Sequence, residues 1–279
     1  MKILNDHEMR IAERLLHKHV PNSLKVYGLL FTANRTTQED GTLEVAVDAW
    51  PDFKVIVCRP GTKGTGAAGD PEPVSLFCTD ERFLSEMLTG EGVIDWRAHF
   101  MFAGTDASYT PVLKEECSKR GTSFRCFTRV HLLHLPDCDS LLSSEHGEVD
   151  LRVSSLNDSH VELVNTSWKF GGDEHGYRTI KKMIGKFPSC CIIDDHGQPV
   201  SWILVYGYCA MGMLHTLPAH RGKCYAKALV RCMARKLHAQ GFPLYCYVEE
   251  ENTVSYRLLK NLGFIEDPSY RAGWFECNF

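Results

Sequence analysis

Residues 213–226 read MLHTLPAHRGKCYA. The opening residues close a run from Gly197 to Leu214 that carries no formal charge and has about the length of a membrane span. Gln198, Pro199, Gly207 and Gly212 interrupt it, so two buried strands around a turn, near 199–206 and 210–217, fit better. After Arg221, Gly222, Lys223 and Cys224, helical periodicity predicts a helix from about Tyr225 to Gln240. Taken alone, a Gly-Lys turn ahead of a helix is more often an ordinary cap than a ligand site.

Further toward the C-terminus the pattern predicts a strand from Leu244 to Glu249, a helix from Thr253 to Leu262 and a strand near 270–277. Toward the N-terminus it predicts a strand near 190–194, helices near 175–186 and 158–168, and a strand near 149–156. The polar stretch Ser143 to Glu148 separates this series from the apolar run Val130 to Leu135. A boundary there divides the chain into domains 1–147 and 148–279.

The length of 279 residues suits two domains, and 44% apolar with 24% charged residues is the composition of an ordered globular chain. A net charge of −4 gives no global pull toward nucleic acid or anionic lipid, so any phosphate binding must be local. The 12 cysteines include the adjacent pair Cys190 and Cys191 and follow no secretory signal, which fits a reduced compartment. There is no Cys-x-x-Cys with a matching pair, and His131 with His134 is an isolated spacing, so no metal site is expected. In the segment Met1 to Val20, Ile3, Leu4, Ile11, Leu15 and Leu16 have helical spacing. Its acids Asp6, Glu8 and Glu13 favour a core helix over a transit peptide. Gly64, Gly66 and Gly69 satisfy the spacing of a dinucleotide-binding loop, but Asp70, Pro71, Glu72 and Pro73 follow where a helix would have to open. A long surface loop without a nucleotide role is expected.

The order strand, two helices, three antiparallel strands, helix, strand, helix, strand resembles the GNAT acyltransferase fold, so the fold class is α/β (α+β). Arg221 to Ala226 resembles that fold's Arg/Gln-x-x-Gly-x-Gly/Ala turn, with Cys224 in place of a glycine and adding a Cβ. The chain also resembles glycine N-acyltransferase and its paralogues over nearly its whole length. In the first half the strings are Ser23-Leu24-Lys25-Val26-Tyr27-Gly28, Val47-Asp48-Ala49-Trp50-Pro51-Asp52-Phe53 and Ile94-Asp95-Trp96. In the second half they are Trp168-Lys169-Phe170-Gly171-Gly172, Phe187-Pro188-Ser189-Cys190-Cys191 and Thr216-Leu217-Pro218 running into Arg221. Packing and turn geometry are the expected roles of the tryptophans and the glycine pair. The N-terminal half is expected to be a degenerate GNAT-like domain.

The resemblance implies direct transfer of an acyl group from acyl-CoA to the amine of glycine or a similar amino acid, with a GNAT N-acyltransferase of another amine acceptor and a catalytically weak acyl-CoA-binding protein as the alternatives. It implies small-molecule substrates, acyl-CoA as co-substrate with no permanently bound cofactor, and a monomer; the net charge and the interrupted run 197–214 lead us to expect no nucleic-acid partner and no transmembrane segment. Mitochondrial residence is the family's, with cytoplasm or endoplasmic reticulum as alternatives. The pyrophosphate would sit on the backbone N–H groups of Arg221, Gly222, Lys223, Cys224, Tyr225 and Ala226. The pantetheine arm would pair with the fourth strand at Leu214, Thr216 and Leu217, where it splays from the fifth, and a backbone N–H there would hold the oxyanion.

Two positions depart from the family. After Leu-Pro the family carries a glutamate that serves as general base, and here Ala219 stands in its place. His220, His215 and Glu249 in the run Glu249 to Glu251 are the candidates for the base, each weighed against a bystander role. The tyrosine that many GNAT enzymes use to protonate the leaving thiolate is replaced by Leu259, and Tyr256 lies one helical turn earlier. Asn252 matches the asparagine that often opens this helix, where capping is the alternative to ligand binding.

Overall fold

The computed structural model describes residues 1–36, 43–61, 71–137 and 153–279. Gly64, Gly66 and Gly69 and the domain boundary expected near 148 lie outside them. The chain divides into two compact units. The first comprises Met1–Leu132, Val248–Glu251 and Glu266–Phe279, and the second comprises Leu133–Tyr247 and Asn252–Ile265.

The first unit begins with a short strand, β1 (Lys2–Ile3), rather than with the helix expected from the first residue. The helix α1 (Asp6–Leu16) starts only where Asn5 can cap it: Asn5 Oδ1 accepts the Glu8 N–H at 2.9 Å, and the Glu8 carboxylate accepts the Asn5 N–H at 3.1 Å. There follow α2 (Leu24–Ala33), β2 (Leu43–Val47), β3 (Val55–Pro60), β4 (Glu72–Cys78), α3 (Arg82–Thr89), β5 (Phe100–Asp106), α4 (Thr110–Lys119) and β6 (Phe124–His134). Alternation along the strands sorts the core. Val45, Val47, Ile56 and Cys58 pack against Met9, Ala12, Leu16, Val26 and Leu30 of α1 and α2. Their neighbours Ala46, Val55 and Val57 pack on the opposite face, with Leu84 and Leu88 of α3 and Leu113 of α4.

The second unit contains β7 (Val153–Ser154), a helical turn at Asp158–His160, α5 (Val161–Ser167), α6 (Glu174–Lys186), β8 (Ser189–Ile193), β9 (Pro199–Val205), β10 (Met211–Thr216), a turn at Pro218–His220, α7 (Tyr225–Ala239), the first three residues of β11 (Tyr245–Glu249) and α8 (Thr253–Asn261). This is the element order read from the sequence, and the run 197–214 forms two strands around a turn. The sheet order is β11-β10-β9-β8-β7, parallel between β10 and β11 and antiparallel elsewhere. Every residue of β9 is buried because both its faces are covered, which is why PVSWILV is apolar on both faces apart from Ser201. Trp202 and Leu204 face Val161, Val164, Ile180 and Met183 of α5 and α6, while α7 packs across β8, β9 and β10.

The loop between α5 and α6 is built around Asn165, only 3% exposed. Its Oδ1 accepts the Gly172 N–H at 3.0 Å and its Nδ2 donates to Asp173 O at 3.2 Å. A Cβ on Gly171 would lie 2.4 Å from Asn165 O, so only glycine fits there. The string Trp168-Lys169-Phe170-Gly171-Gly172 is thus accounted for by turn geometry, as expected from the sequence.

The final strand, β12 (Ala272–Cys277), lies in the first unit's sheet between β5 and β6, antiparallel to both: Phe275 is in register with Phe102 and with Cys126. The order of that sheet is β1-β2-β3-β4-β5-β12-β6. Phe275 is fully buried in the first unit's core and stacks on Phe124 at 5.5 Å. Phe275→Ala is expected to destabilise the protein by about 3–5 kcal/mol in urea unfolding. A cost below about 1 kcal/mol would mean that β12 contributes little to this core.

Candidate active site

The site is built on the end of β10. The ladder between β10 and β11 consists of one register pair, Met211↔Cys246. Immediately beyond it the pairing of β10 with β9 shifts between Gly212 and His215, and Met213 takes a left-handed backbone at φ 51°. A bulge bends the strand that carries it, and here β10 leaves the β11 ladder. Leu217 N–H donates into β9, to Val200 O at 2.9 Å, so strand alternation turns the Thr216 backbone toward the opposite edge. Thr216 O on that edge accepts Arg221 Nε at 3.1 Å. The Thr216 hydroxyl lies 2.7 Å from Ser201 Oγ, which donates to His215 O at 2.8 Å, fixing the strand end to β9.

The chain then turns into α7. Pro218–His220 forms one helical turn closed by the His220 N–H on Leu217 O at 2.8 Å, and Ala219 is exposed upon it. Gly222 has φ 79°, a left-handed value that glycine adopts freely. Cys224, the residue ahead of the helix, is also left-handed at φ 58° and its side chain makes no capping bond. The helix's own first bond is from Ala228 N–H to Cys224 O at 3.1 Å, so the preceding N–H groups point out of the helix end. Arg221, Gly222, Lys223 and Cys224 are exposed there, and Tyr225 and Ala226 are half-buried. Outward N–H groups with Arg221, Lys223 and Lys227 beside them suit a phosphate group.

His215 is half-buried and its ring stacks on Trp202 at 5.0 Å and 25°. Burial first, and then the charge of Arg221, hold its pKa below the ordinary histidine value, so the ring is neutral at pH 7 and can accept a proton. Met213, Leu217 and Trp168 pack against the same cluster as Trp202, which places His215 on the α5 and α6 side of the sheet. Leu214 and His220 are half-buried. Asn252 Oδ1 accepts the Ser255 N–H at 3.2 Å and so caps α8. On that helix Tyr256 is half-buried, while Leu259 is 5% exposed and belongs to the core. The second unit therefore brings together Leu214, His215, Thr216, Leu217, His220 and the 221–226 turn. Glu249 ends β11 among the residues of the first unit.

Sequence reading passed over a group of tyrosines beside the bulge. Tyr206 and Tyr208 stack at 5.1 Å and 4°, Tyr208 and Tyr247 lie 6.3 Å apart, and the Tyr245 hydroxyl donates to Tyr208 O. Burial pushes the Tyr208 hydroxyl well above its ordinary pKa, so it stays protonated. The signal was present as two Tyr-x-Tyr repeats, Tyr206-x-Tyr208 in the turn after β9 and Tyr245-x-Tyr247 in β11, where strand alternation puts both rings on one face. Among the described residues no group of three or more His, Cys, Asp or Glu could hold a metal ion, and no helix is long and apolar enough to cross a membrane.

A left-handed residue other than glycine costs roughly 1–2 kcal/mol, part of which the extra freedom of glycine in the unfolded chain would offset. Cys224→Gly is therefore expected to stabilise the protein by up to about 1 kcal/mol in chemical denaturation. A loss of stability would show that the thiol has a favourable contact in the turn.

Two family models match the chain. The aralkyl acyl-CoA:amino acid N-acyltransferase family covers residues 1–188, and the C-terminal region of the same family covers residues 190–278. Among curated relatives, glycine N-acyltransferase of Bos taurus is 28% identical over 95% of each chain. Glycine N-phenylacetyltransferase of Bos taurus is 28% identical over 97% of this chain and 96% of its own. The glycine N-acyltransferase-like protein Keg1 of Mus musculus is 30% identical over 95% of each. An X-ray structure of a Drosophila protein superposes with a TM-score of 0.80 at 18% identity, covering 99% of this chain and 97% of its own. A tandem GNAT protein from the clavulanic acid biosynthesis pathway superposes at 0.56 and 12% identity, covering 99% and 97%. The fold is that of the GNAT acyltransferases, and the chain belongs to the aralkyl acyl-CoA:amino acid N-acyltransferase family, an acyl-CoA-dependent N-acyltransferase.

Proposed function

We propose that the protein transfers an acyl group from acyl-CoA to the amine of glycine, giving N-acylglycine and free CoA. The observation that carries the reading is the departure of β10 from β11 at the Met213 bulge, beside an uncapped helix end flanked by Arg221, Lys223 and Lys227. The pyrophosphate binds the turn at 221–226, and the pantetheine amides bond to the free edge of β10 at Leu214 and Thr216 as an added strand would. The glycine nitrogen attacks the thioester carbonyl carbon, a backbone N–H on that edge holds the oxyanion, and the carbon–sulfur bond then breaks to release the CoA thiolate. Once bonded to carbon, the ammonium is acidic enough to lose its proton to a neutral imidazole, and the reading assigns that role to His215 on β10, whose ring burial and the Arg221 charge keep neutral. The stacked Tyr206 and Tyr208 offer an apolar, aromatic wall that suits an aryl acyl group. A mitochondrial location belongs to this reading through the family resemblance, and fractionation of expressing cells tests it.

A charge-assisted hydrogen bond to phosphate contributes about 1.5–3 kcal/mol, so Arg221→Ala is expected to weaken acyl-CoA binding by that amount in calorimetry. Equal affinity in the variant would remove the turn from the site.

With the family's glutamate replaced by Ala219, the rate is expected to rise toward alkaline pH as free amine becomes available. His215 does not limit it near neutrality, because a lowered pKa keeps the ring unprotonated until the medium is acidic. Steady-state release of CoA is to be followed with and without glycine across pH. Release that ignores glycine would leave acyl-CoA binding without glycine transfer. A positioned base typically contributes about 10²–10⁴-fold, so His215→Gln should lower kcat and Ala219→Glu should raise the neutral-pH rate and flatten the profile. A His215→Gln enzyme of unchanged kcat would assign the proton to another group, with Glu249 the next to replace.

A further inference from the structure

Two thiols that the acyl-transfer reading does not use touch each other in the first unit. Cys117 Sγ on α4 and Cys277 Sγ on β12 are 3.8 Å apart, and the residues are 1% and 0% exposed. A disulfide bond is about 2.05 Å long, so the gap to be closed is about 1.8 Å, shared between two side chains. The two residues sit on different elements, a helix and the strand beneath it, 160 residues apart in the chain. Cys277 is the last residue of β12, in register with Phe100 and Phe124. What holds that strand end is Asn278, whose N–H donates to Ser123 O at 3.3 Å and whose Nδ2 donates to Trp96 O at 2.7 Å and Ala98 O at 2.9 Å. Together with the Glu276 ion pairs to His99 and Arg125 and the last ladder pairs with β5 and β6, these are the bonds that a local opening of the strand end has to break.

We propose that Cys117 and Cys277 are a thiol-modification site that forms a reversible intramolecular disulfide on exposure to a small disulfide oxidant of the glutathione disulfide class. In the opened state the Cys277 thiolate attacks one sulfur of the oxidant, the oxidant's S–S bond breaks, and one glutathione thiolate leaves. On reclosure the Cys117 thiolate attacks Cys277 Sγ of this mixed disulfide and displaces the second glutathione thiolate. In sum the two cysteines give up two electrons and two protons, and the oxidant becomes two thiols.

Cys117 is suited to the second step. The hydrogen bond from Cys277 first, and then the Arg120 guanidinium, hold its pKa below the usual thiol value against burial and the Glu116 carboxylate. Cys277 is pushed up by that same bond, by burial, and by the charges of Cys117 and Glu276. Cys126 and Cys224 are exposed, and Cys58, Cys78 and Cys246 are buried thiols that burial pushes up. The product would tie β12 to α4 and close a loop of the unfolded chain, which stabilises the folded state.

The test equilibrates the full-length wild-type protein in buffers of rising glutathione disulfide content, without denaturant, followed by acid quench, alkylation, proteolysis and mass spectrometry. The expected result is one cross-linked pair of peptides containing Cys117 and Cys277, about 2 Da lighter than their sum and separated again by dithiothreitol. The apparent Tm of that sample should be higher by about 5 °C or more. A sample in which Cys126 and Cys224 already carry glutathione while Cys117 and Cys277 are both recovered alkylated would overturn the proposal. So would a cross-link that forms only in denaturing urea.

Discussion

The second unit depends on one backbone constraint, the bulge that puts Met213 at a left-handed φ of 51°. A non-glycine residue held there costs on the order of 1–3 kcal/mol, and the surrounding packing must supply it. It does so from both sides: Met213 and Leu217 pack into the cluster around Trp202, while Ser201 binds the strand end through Thr216 Oγ1 and His215 O. The return is an edge of β10 that leaves β11 after a single register pair. A strand edge in the middle of a sheet is ordinarily satisfied by its neighbour. Opening one there creates hydrogen-bonding groups that a ligand's amides can occupy, and it sets the direction from which β10 enters the turn at 221–226.

The first unit rests on a constraint of another kind. Its sheet places β12, the last strand of the chain, between β5 and β6. Phe275 and Cys277 then complete a core whose other members come from the first half of the sequence. Such long-range pairing makes folding of this unit wait for a segment more than 140 residues away, and contacts of that separation slow folding through the entropy of closing the loop. Substitutions in residues 272–277 therefore act on the first unit's stability, although the segment follows the acyl-CoA turn in sequence.

Much of this was legible in the sequence because periodicity and turn chemistry are local. The two strands in 197–214, the helix after Arg221 and the asparagine ahead of α8 are all fixed by residues a few positions apart. The partner of β12 was not legible, since alternation in AGWFEC reports a strand and two faces but says nothing about neighbours. The bulge was hidden as well. Gly212 is adjacent to it, yet the left-handed residue is Met213, a position no turn rule would select. Cys224 was read as a mild departure because it adds a Cβ. The structure raises that cost, since the thiol stands at a left-handed φ where glycine would be relaxed. Asn165 was missed because its role is three-dimensional, a buried amide bonded to the backbone of Gly172 and Asp173.

The division of labour between backbone and side chains explains how such a site tolerates the two departures from its family. Groups proposed to hold acyl-CoA are mostly backbone N–H and C=O, positioned by the bulge and by the helix end, and a change of side chain leaves them in place. Replacing glutamate by Ala219 or tyrosine by Leu259 therefore acts on proton transfer and spares the binding edge. The two losses are unequal. A thiolate leaves readily without a proton, so Leu259 can serve as core at 5% exposure with little kinetic consequence. An amine cannot complete its attack while it keeps its proton, so in the proposed reaction the consequence of Ala219 falls on deprotonation of the amine, and on whichever neutral base stands nearest. In the proposed reaction His215 is that base, because burial and the charge of Arg221 keep its ring unprotonated.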